Sequence, residues 1–536
     1  MPEPPRNFKV SAPTPAAQSR LEGQVVRALG SIGGATLASR VLGFGRDMVV
    51  ALVFGAGPVT DAFFVAFRIP NILRRLLAEG ALSTAVIPVF TDYFVNRSRE
   101  ESLRMLRAVF LAALLALSAA TVLGVLGAPW IVRVIAPGFA ADPVQASVAT
   151  LLTRVMFPYL ILVGTASLAM GILNAQGRFF AAALGPAVLN AGMILAVLLL
   201  HRHLEPPILS LALGVLAGGV GQLLVQLPSL RRSGHLVAPS GELGHPALGR
   251  VTRLLLPAVF GLAAVQVMVF VNTLLASLLP AGSISFLYYA DRVMEFPLGI
   301  FGIALASAAL PVMARQGASQ DLRGVAATLT FALRLALFVS VPATVGLIVL
   351  RVPITRVLFE RGQFGPHDTA ATAQALGWYA LGLAGFAGSR IVAQAFYAVA
   401  KPAIAVRLGI VAVGANIVAA LVLMGPMAHA GLAAASSAGA WVNLLGLVLV
   451  ARLRFGRLGG RELLASVART TLASLPVAAW CLGALWAWPA APSRWGDAAT
   501  LGVAVAGGGL VYWVSSALLA APERAALFRR ESPSVI

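Results

Sequence analysis

The chain has 536 residues, of which 59% are hydrophobic and 11% charged, with a formal net charge of +20. A soluble domain carries about 25% charged residues, so this composition excludes a water-soluble globular protein and points to a bilayer as the solvent. The lone cysteine, Cys481, excludes a disulfide framework and a cysteine-borne metal site, and the arginines are spread over loops rather than gathered in one domain, which speaks against nucleic acid as a partner.

Residues 1–27 are proline-rich and polar and lack the apolar core of a secretory leader. They are read as a cytoplasmic tail, and the first apolar segment as a retained membrane helix. A span needs about 20 apolar residues, and about fourteen candidates follow in chain order. They lie near 28–52, 60–93, 106–130, 147–173, 181–201, 206–228, 252–279, 283–313, 326–350, 372–399, 402–424, 429–451, 466–488 and 498–520. The organisation expected is a tail at 1–27, six helices over 28–228, a cytoplasmic linker at 229–251 and six helices over 252–451. A cytoplasmic loop at 452–465, a helix pair over 466–520 and a cytoplasmic tail at 521–536 complete it.

Alternate loops are basic. One set carries Arg97, Arg99, Arg104 and Arg107; Arg178; Arg231, Arg232, Arg250 and Arg253; Arg315 and Arg323; Lys401; and Arg452, Arg454, Arg457 and Arg461. The intervening loops are poorer, apart from one with Arg351, Arg356 and Arg361. Positive loops face the cytoplasm, so both termini are expected there, and an anionic inner leaflet suits them.

Two halves of the chain resemble one another. ALSTAVIPVF (Ala81–Phe90) matches ALASAALPVM (Ala304–Met313), which sets Pro88 and Pro311 223 residues apart. Arg133 and Arg356, in IVRVI and ITRVL, share that offset, as do Asn174 and Tyr397. One offset over three segments indicates two homologous six-helix halves. An even helix count gives both halves the same orientation, as in transporters with parallel repeats.

The charges inside the spans need a reason, since an ionised group at the bilayer centre costs roughly 2.5–3.5 kcal/mol. In SRVLGFGRDMVV, Arg40 and Asp47 are seven apart and share a helix face, with Gly43 near them, while Arg46 points elsewhere. In the second span Arg68, Asn71, Arg75 and Glu79 form one stripe with Arg74 about 100° off it, and Pro70 should loosen the helix. In YYADRVMEFP, Asp291 and Glu295 are i, i+4 and Arg292 and Glu295 are i, i+3, so a local carboxylate can hold Arg292. Asp47, Asp291 and Glu295 read as partners that hold arginines, and Arg75 with Glu79 as a structural pair. Arg40, Arg46, Arg74 and Arg292 together are an excess of positive charge, costing on the order of 10 kcal/mol if uncompensated. Guanidinium groups bind phosphate oxygens bidentately, so an anionic, diphosphate-bearing ligand in a water-filled cavity is the expectation.

Enzyme signatures are missing. There is no metal-ligand run, nucleophile elbow, P-loop or dinucleotide fingerprint. The six histidines, His201, His203, His235, His245, His367 and His429, fall in expected loops or span ends. The chain reads as a carrier. A polyprenyl-phosphate glycosyltransferase would need an acidic metal-binding loop that the sequence lacks, and a membrane scaffold leaves the intramembrane arginines unexplained.

SRVLGFGRD, GAGPVTDAFFVAFRIPNILRRLLAEGALSTAVIPVF and YYADRVMEFPLGIFGIALASAALP closely resemble the MurJ/MviN family of lipid II flippases, within the superfamily of multidrug, oligosaccharidyl-lipid and polysaccharide exporters. The resemblance covers the membrane region and is weakest in the last two helices. It implies an all-α integral membrane protein of the bacterial inner membrane: two six-helix lobes about a V-shaped cationic cavity, and a final pair forming a groove for the polyprenyl tail. The implied substrate is lipid II, the undecaprenyl-diphosphate-linked disaccharide-pentapeptide precursor of peptidoglycan, moved from the cytoplasmic to the periplasmic leaflet. Membrane lipids and the cell-wall synthesis machinery are the other implied partners. The family's cavity arginines fall on Arg40, Arg46, Arg74 and Arg292, the acid of its TDAFF motif on Asp61, and the acid of EFP on Glu295. Ser39, Asp47, Asn71, Arg75, Glu79 and Asp291 are taken as supporting residues, with Asp47 orienting Arg40 or Arg46. Some members bind sodium through acids on the seventh and eleventh helices, where this chain has Asn272 and Asn416. No cofactor is expected, and coupling to the membrane potential or to a monovalent cation is left open. An exporter of another lipid-linked oligosaccharide in the same superfamily is the alternative.

Overall fold

Long apolar runs between basic loops have one way to satisfy their backbone in lipid, which is to form helices. A computed structural model describes residues 38–75, 82–240, 243–488 and 494–526, and among them no strand occurs. The expected tail 1–27 and Glu79 lie outside the described residues. Helix α1 covers 38–54, α2 Pro58–Arg74, α3 Leu82–Asn96, α4 Arg99–Ile135, α5 Pro143–Met156, α6 Tyr159–Ala175, α7 Phe180–Ala183, α8 Gly185–Leu200, α9 Leu209–Ser233 and α10 Pro246–Ser277. There follow α11 Ser283–Pro297, α12 Ile303–Ala318, α13 Leu322–Val349, α14 Arg351–Phe359, α15 Pro366–Leu381, α16 Leu383–Ala398, α17 Pro402–Phe455, α18 Gly460–Trp486, α19 Arg494–Leu518 and α20 Pro522–Ala526.

Among the described residues seven helical stretches are long and apolar enough to cross a bilayer: Arg99–Ile135, Pro143–Ala175, Leu209–Ser233, Leu322–Val349, Pro402–Phe455, Gly460–Trp486 and Trp495–Leu518. The chain is thus an all-α, multi-pass membrane protein. Helix α17 joins the expected spans 402–424 and 429–451, with a break at Ala428 (φ 48, ψ −131) just after Pro426. Pro70 is accommodated inside α2. A short π-helix at Leu298–Gly302 links α11 to α12. Pro88 and Pro311, the paired prolines of the repeat, both lie inside helices, in α3 and α12.

The chain divides into two compact units. One contains the described residues up to Arg46, Ile69–Leu126 and Arg154–Ala263; the other contains Asp47–Arg68, Gly127–Thr153 and the described residues from Ala264 onward. In the first, Val86, Phe90, Met105, Leu106, Ile172 and Leu173 make a core between α3, α4 and α6. Its closest helix pair is α8 with α9, where a Cβ added to Gly218 would lie 2.8 Å from the Leu189 Cα. Lipid offers apolar side chains no water to escape, so such close backbone contact supplies dispersion attraction between helices. In the second unit Leu329, Leu333, Ile391, Phe396 and Leu447 pack α13, α16 and α17 together. A further cluster, with Phe338, Val477, Ala504 and Tyr512, fastens α18 and α19 to α13, and the Tyr512 hydroxyl donates to the Phe338 carbonyl at 2.6 Å.

Candidate functional site

The first unit holds Ser39, Arg40, Arg46, Asn71, Arg74 and Arg75. Arg40 is exposed, and Ser39 and Arg46 are half-buried. Arg46 Nη1 donates to Asn190 Oδ1 at 3.1 Å, and Asn190 Nδ2 donates to the Ser39 carbonyl at 3.2 Å. Asn190 comes from α8 and is 8% exposed. Its amide ties α1 at two places seven residues, about two turns, apart, so the Arg46 guanidinium is held by a residue outside the motif that carries it. Gly43 gives the amide room, because an added Cβ would lie 3.2 Å from Asn190 Nδ2, closer than ordinary contact.

In α2, Arg74 donates through Nε and Nη2 to Asn71 Oδ1, at 3.2 and 3.1 Å. The two are i, i+3, which brings them together although the helical wheel sets Arg74 off the Asn71 stripe; a long guanidinium arm covers that angle. Arg75 is half-buried.

The second unit holds Asp47, Asp61, Asp291, Arg292 and Glu295. Asp47 is 2% exposed. It pairs with Arg292 Nε at 3.6 Å and accepts the Tyr288 hydroxyl at 3.1 Å. Arg292 Nη1 donates to Glu295 Oε2 at 2.7 Å, as the i, i+3 spacing requires. The Arg292 guanidinium also lies 4.9 Å from the Tyr288 ring centroid, and that ring stacks on Phe64 with centroids 3.9 Å apart. Arg292 is therefore bracketed by two carboxylates and an aromatic face, an arrangement that holds a planar cation in one orientation. Asp291 is half-buried on the same helix.

Asp61 does different work. Its Oδ2 accepts the Gly282 N–H at 2.7 Å, and its Oδ1 accepts the Ser285 N–H and hydroxyl at 2.8 and 2.6 Å. The start of α11 has no cap from its own N-cap residue, Gly282. Asp61 supplies that cap from α2 and sets the start of the helix that carries Arg292.

Asn272 and Asn416 meet at one hydroxyl. The Nδ2 of each lies 3.4 Å from Ser436 Oγ. Their amide oxygens are buried with no hydrogen-bond partner among the described residues. The donor set is neutral throughout, so it does not fit a sodium site built on carboxylates. Among the described residues no group of three or more histidines, cysteines, aspartates or glutamates could hold a metal ion.

Tyr288, Phe64 and Asn190 are absent from the residues singled out by sequence. Tyr288 is four residues before Arg292, one helical turn, and could have been found from that spacing. Asn190 is the lone amide in GPAVLNAGMILAVLLL, and a polar side chain in so apolar a span is itself a signal.

The family model described as lipid II flippase MurJ matches residues 50–495. The chain belongs to the lipid II flippase MurJ family. A lipid II flippase MurJ from Burkholderia cenocepacia is 37% identical over 80% of this chain and 84% of its own length. A probable lipid II flippase MurJ from Vibrio cholerae is 39% identical over 76% of this chain and 79% of its own. Among solved structures, a lipid II flippase MurJ in an inward closed conformation aligns with a TM-score of 0.75 at 23% identity, covering 93% of this chain and 99% of that one. An inward-facing multidrug resistance transporter of the MATE family aligns with a TM-score of 0.66 at 15% identity, over 79% of this chain and 95% of that one. These structural matches show the all-α membrane fold expected from the sequence.

Proposed function

We propose that this chain is a lipid II flippase, a transporter and not an enzyme, which moves the undecaprenyl-diphosphate-linked peptidoglycan precursor from the cytoplasmic to the periplasmic leaflet of the bacterial inner membrane. Membership of the MurJ family carries the reading. The arrangement around Arg292 supports it, because Asp47 and Glu295 hold the guanidinium through Nε and Nη1 against the Tyr288 ring and leave Nη2 to meet a phosphate oxygen. Arg40, Arg46, Arg74 and Arg292 take the diphosphate and its neighbouring sugar. Transport runs by alternating access of two lobes, 28–228 and 252–451, with the polyprenyl tail beside helices within 466–520. Both termini face the cytoplasm in this reading, which the basic loops support.

No cofactor takes part. The neutral Asn272–Asn416–Ser436 set favours the membrane potential over sodium as the driving force, worth about 2.3 kcal/mol per charge per 100 mV. Neutralising the arginines with the diphosphate lowers the cost of closing the cytoplasmic side. Native mass spectrometry of the purified chain tests the substrate assignment. Lipid II should bind in preference to an O-antigen-type lipid-linked oligosaccharide, and the preference should vanish in Arg292→Ala; equal binding of both lipids would overturn it.

A further inference from the structure

We propose that the second unit carries a binding site for the headgroup of an anionic phospholipid, in a cavity between α13 and the α17–α18 turn. The cavity measures ≈ 630 Å³, and it is lined by Arg323, Thr330, Phe331, Arg334, Arg457 and Glu462 among others. That volume lies within the roughly 300–1,000 Å³ of small-ligand sites. The α13 residues recur at i, i+7, i+8 and i+11, one face of one helix. The opposite wall is a turn between two apolar stretches long enough to span, so the site lies where the membrane meets water.

The turn is built to stay open. Gly456 and Gly459 adopt φ of +91° and +56°, which side chains with a Cβ disfavour. Thr330 Oγ1 donates to the Leu458 carbonyl at 2.9 Å and pins the turn to α13. The charges are unequal. Arg334 is already committed: it bonds Glu523 at 2.7 Å and Glu462 at 3.3 Å. Glu462 is the one acid on the wall, and this contact holds it. Arg323 and Arg457 are exposed and have no ion-pair partner among the described residues. Two unpaired guanidinium groups at a membrane boundary, beside a phenylalanine, Phe331, that is 48% exposed, match a ligand with a phosphodiester at one end and acyl chains at the other. A nucleotide or a free phosphate would use the cations and leave the apolar wall idle. The site rests on the membrane-spanning fold and not on which lipid is transported.

The test is native mass spectrometry of the full chain in detergent, titrated with phosphatidylglycerol or with phosphatidylcholine of the same acyl chains. The unmodified protein should retain one phosphatidylglycerol more tightly than any phosphatidylcholine. Arg323→Gln with Arg457→Gln should weaken that lipid about thirty-fold. Both residues are exposed, so the double variant should elute as the parent does. Arg452→Gln with Arg454→Gln, exposed on the same helix end but outside the cavity wall, should leave the affinity unchanged. The proposal is overturned if phosphatidylcholine binds as tightly, if both double variants lose affinity equally, or if the first loses none. Displacement of the lipid by millimolar inorganic phosphate would equally overturn it, as a free-anion site.

Discussion

Replacing Asp61 by alanine removes three hydrogen bonds at the start of α11 in one step. Each is charge-assisted and worth about 1.5–3 kcal/mol. Against them stands the cost of keeping a carboxylate that is 2% exposed, which is several kcal/mol. The two terms nearly offset, and what decides the outcome is the state left behind: two backbone N–H groups and a hydroxyl without acceptors, at about 1–3 kcal/mol each. A net loss of about 3 kcal/mol follows for Asp61→Ala. Asp61→Asn keeps an oxygen for Ser285 but turns an NH2 toward the Gly282 N–H, for about 2 kcal/mol. Ser285→Ala loses the 2.6 Å bond alone, about 1 kcal/mol. Equilibrium unfolding in mixed detergent and SDS micelles reads these values, and the order Ala, Asn, Ser285→Ala is the signature. Unfolding of Asp61→Ala within about 0.5 kcal/mol of the parent, the noise of an ordinary surface change, would refute the capping role.

Arg292→Ala should behave in the opposite way, abolishing transport with folding and insertion intact; Arg292→Lys should fail nearly as badly, since one ammonium cannot meet Asp47 and Glu295 with a planar fork. A strain living on either variant with normal cell-wall synthesis would contradict the role. Asn190→Leu deprives Arg46 of its 3.1 Å acceptor, and a charged hydrogen bond of about 1.5–3 kcal/mol predicts a ten-fold or greater fall in transport, measured beside protein level in the membrane. Burial pushes the Glu523 carboxyl up, but its own backbone, Ser466 and Arg334 outweigh that and hold it below the usual carboxylate value of 4.5. Its pairing therefore stabilises the fold above that value and is lost as pH falls through the lower, folded one; Glu523→Gln should flatten the acid limb of a thermal-stability profile. Replacing sodium by potassium at constant potential should leave the transport rate unchanged in reconstituted vesicles.

The sequence made the membrane class, the helical spans and the local ion pair Arg292–Glu295 legible, because each depends on hydropathy or on spacing within one helix. The break in α17 was legible as the gap between the expected spans 402–424 and 429–451. The role of Asp61 was not, since its partners Gly282 and Ser285 lie 221 and 224 residues away along the chain. The pairing of Asn190 was hidden for the same reason, since Arg46 lies 144 residues away along the chain. Asp47 was read as the partner of Arg40 or Arg46 in its own helix, and the fold sets it against Arg292 and Tyr288 from α11. Residues that act through distant partners need the fold before their chemistry can be read, and a motif alone ranks Asp61 beside Arg292 although one caps a helix and the other presents a cation.

The central claim is tested most directly by lipid II exposure on the outer face of cells in which this chain is the sole candidate flippase. A lipid II-cleaving protein added from outside reads that exposure before and after rapid inactivation of the chain. Loss of cleavage, with lipid II accumulating inside, is the predicted result. Unchanged cleavage under verified inactivation would contradict the account and assign lipid II to another transporter.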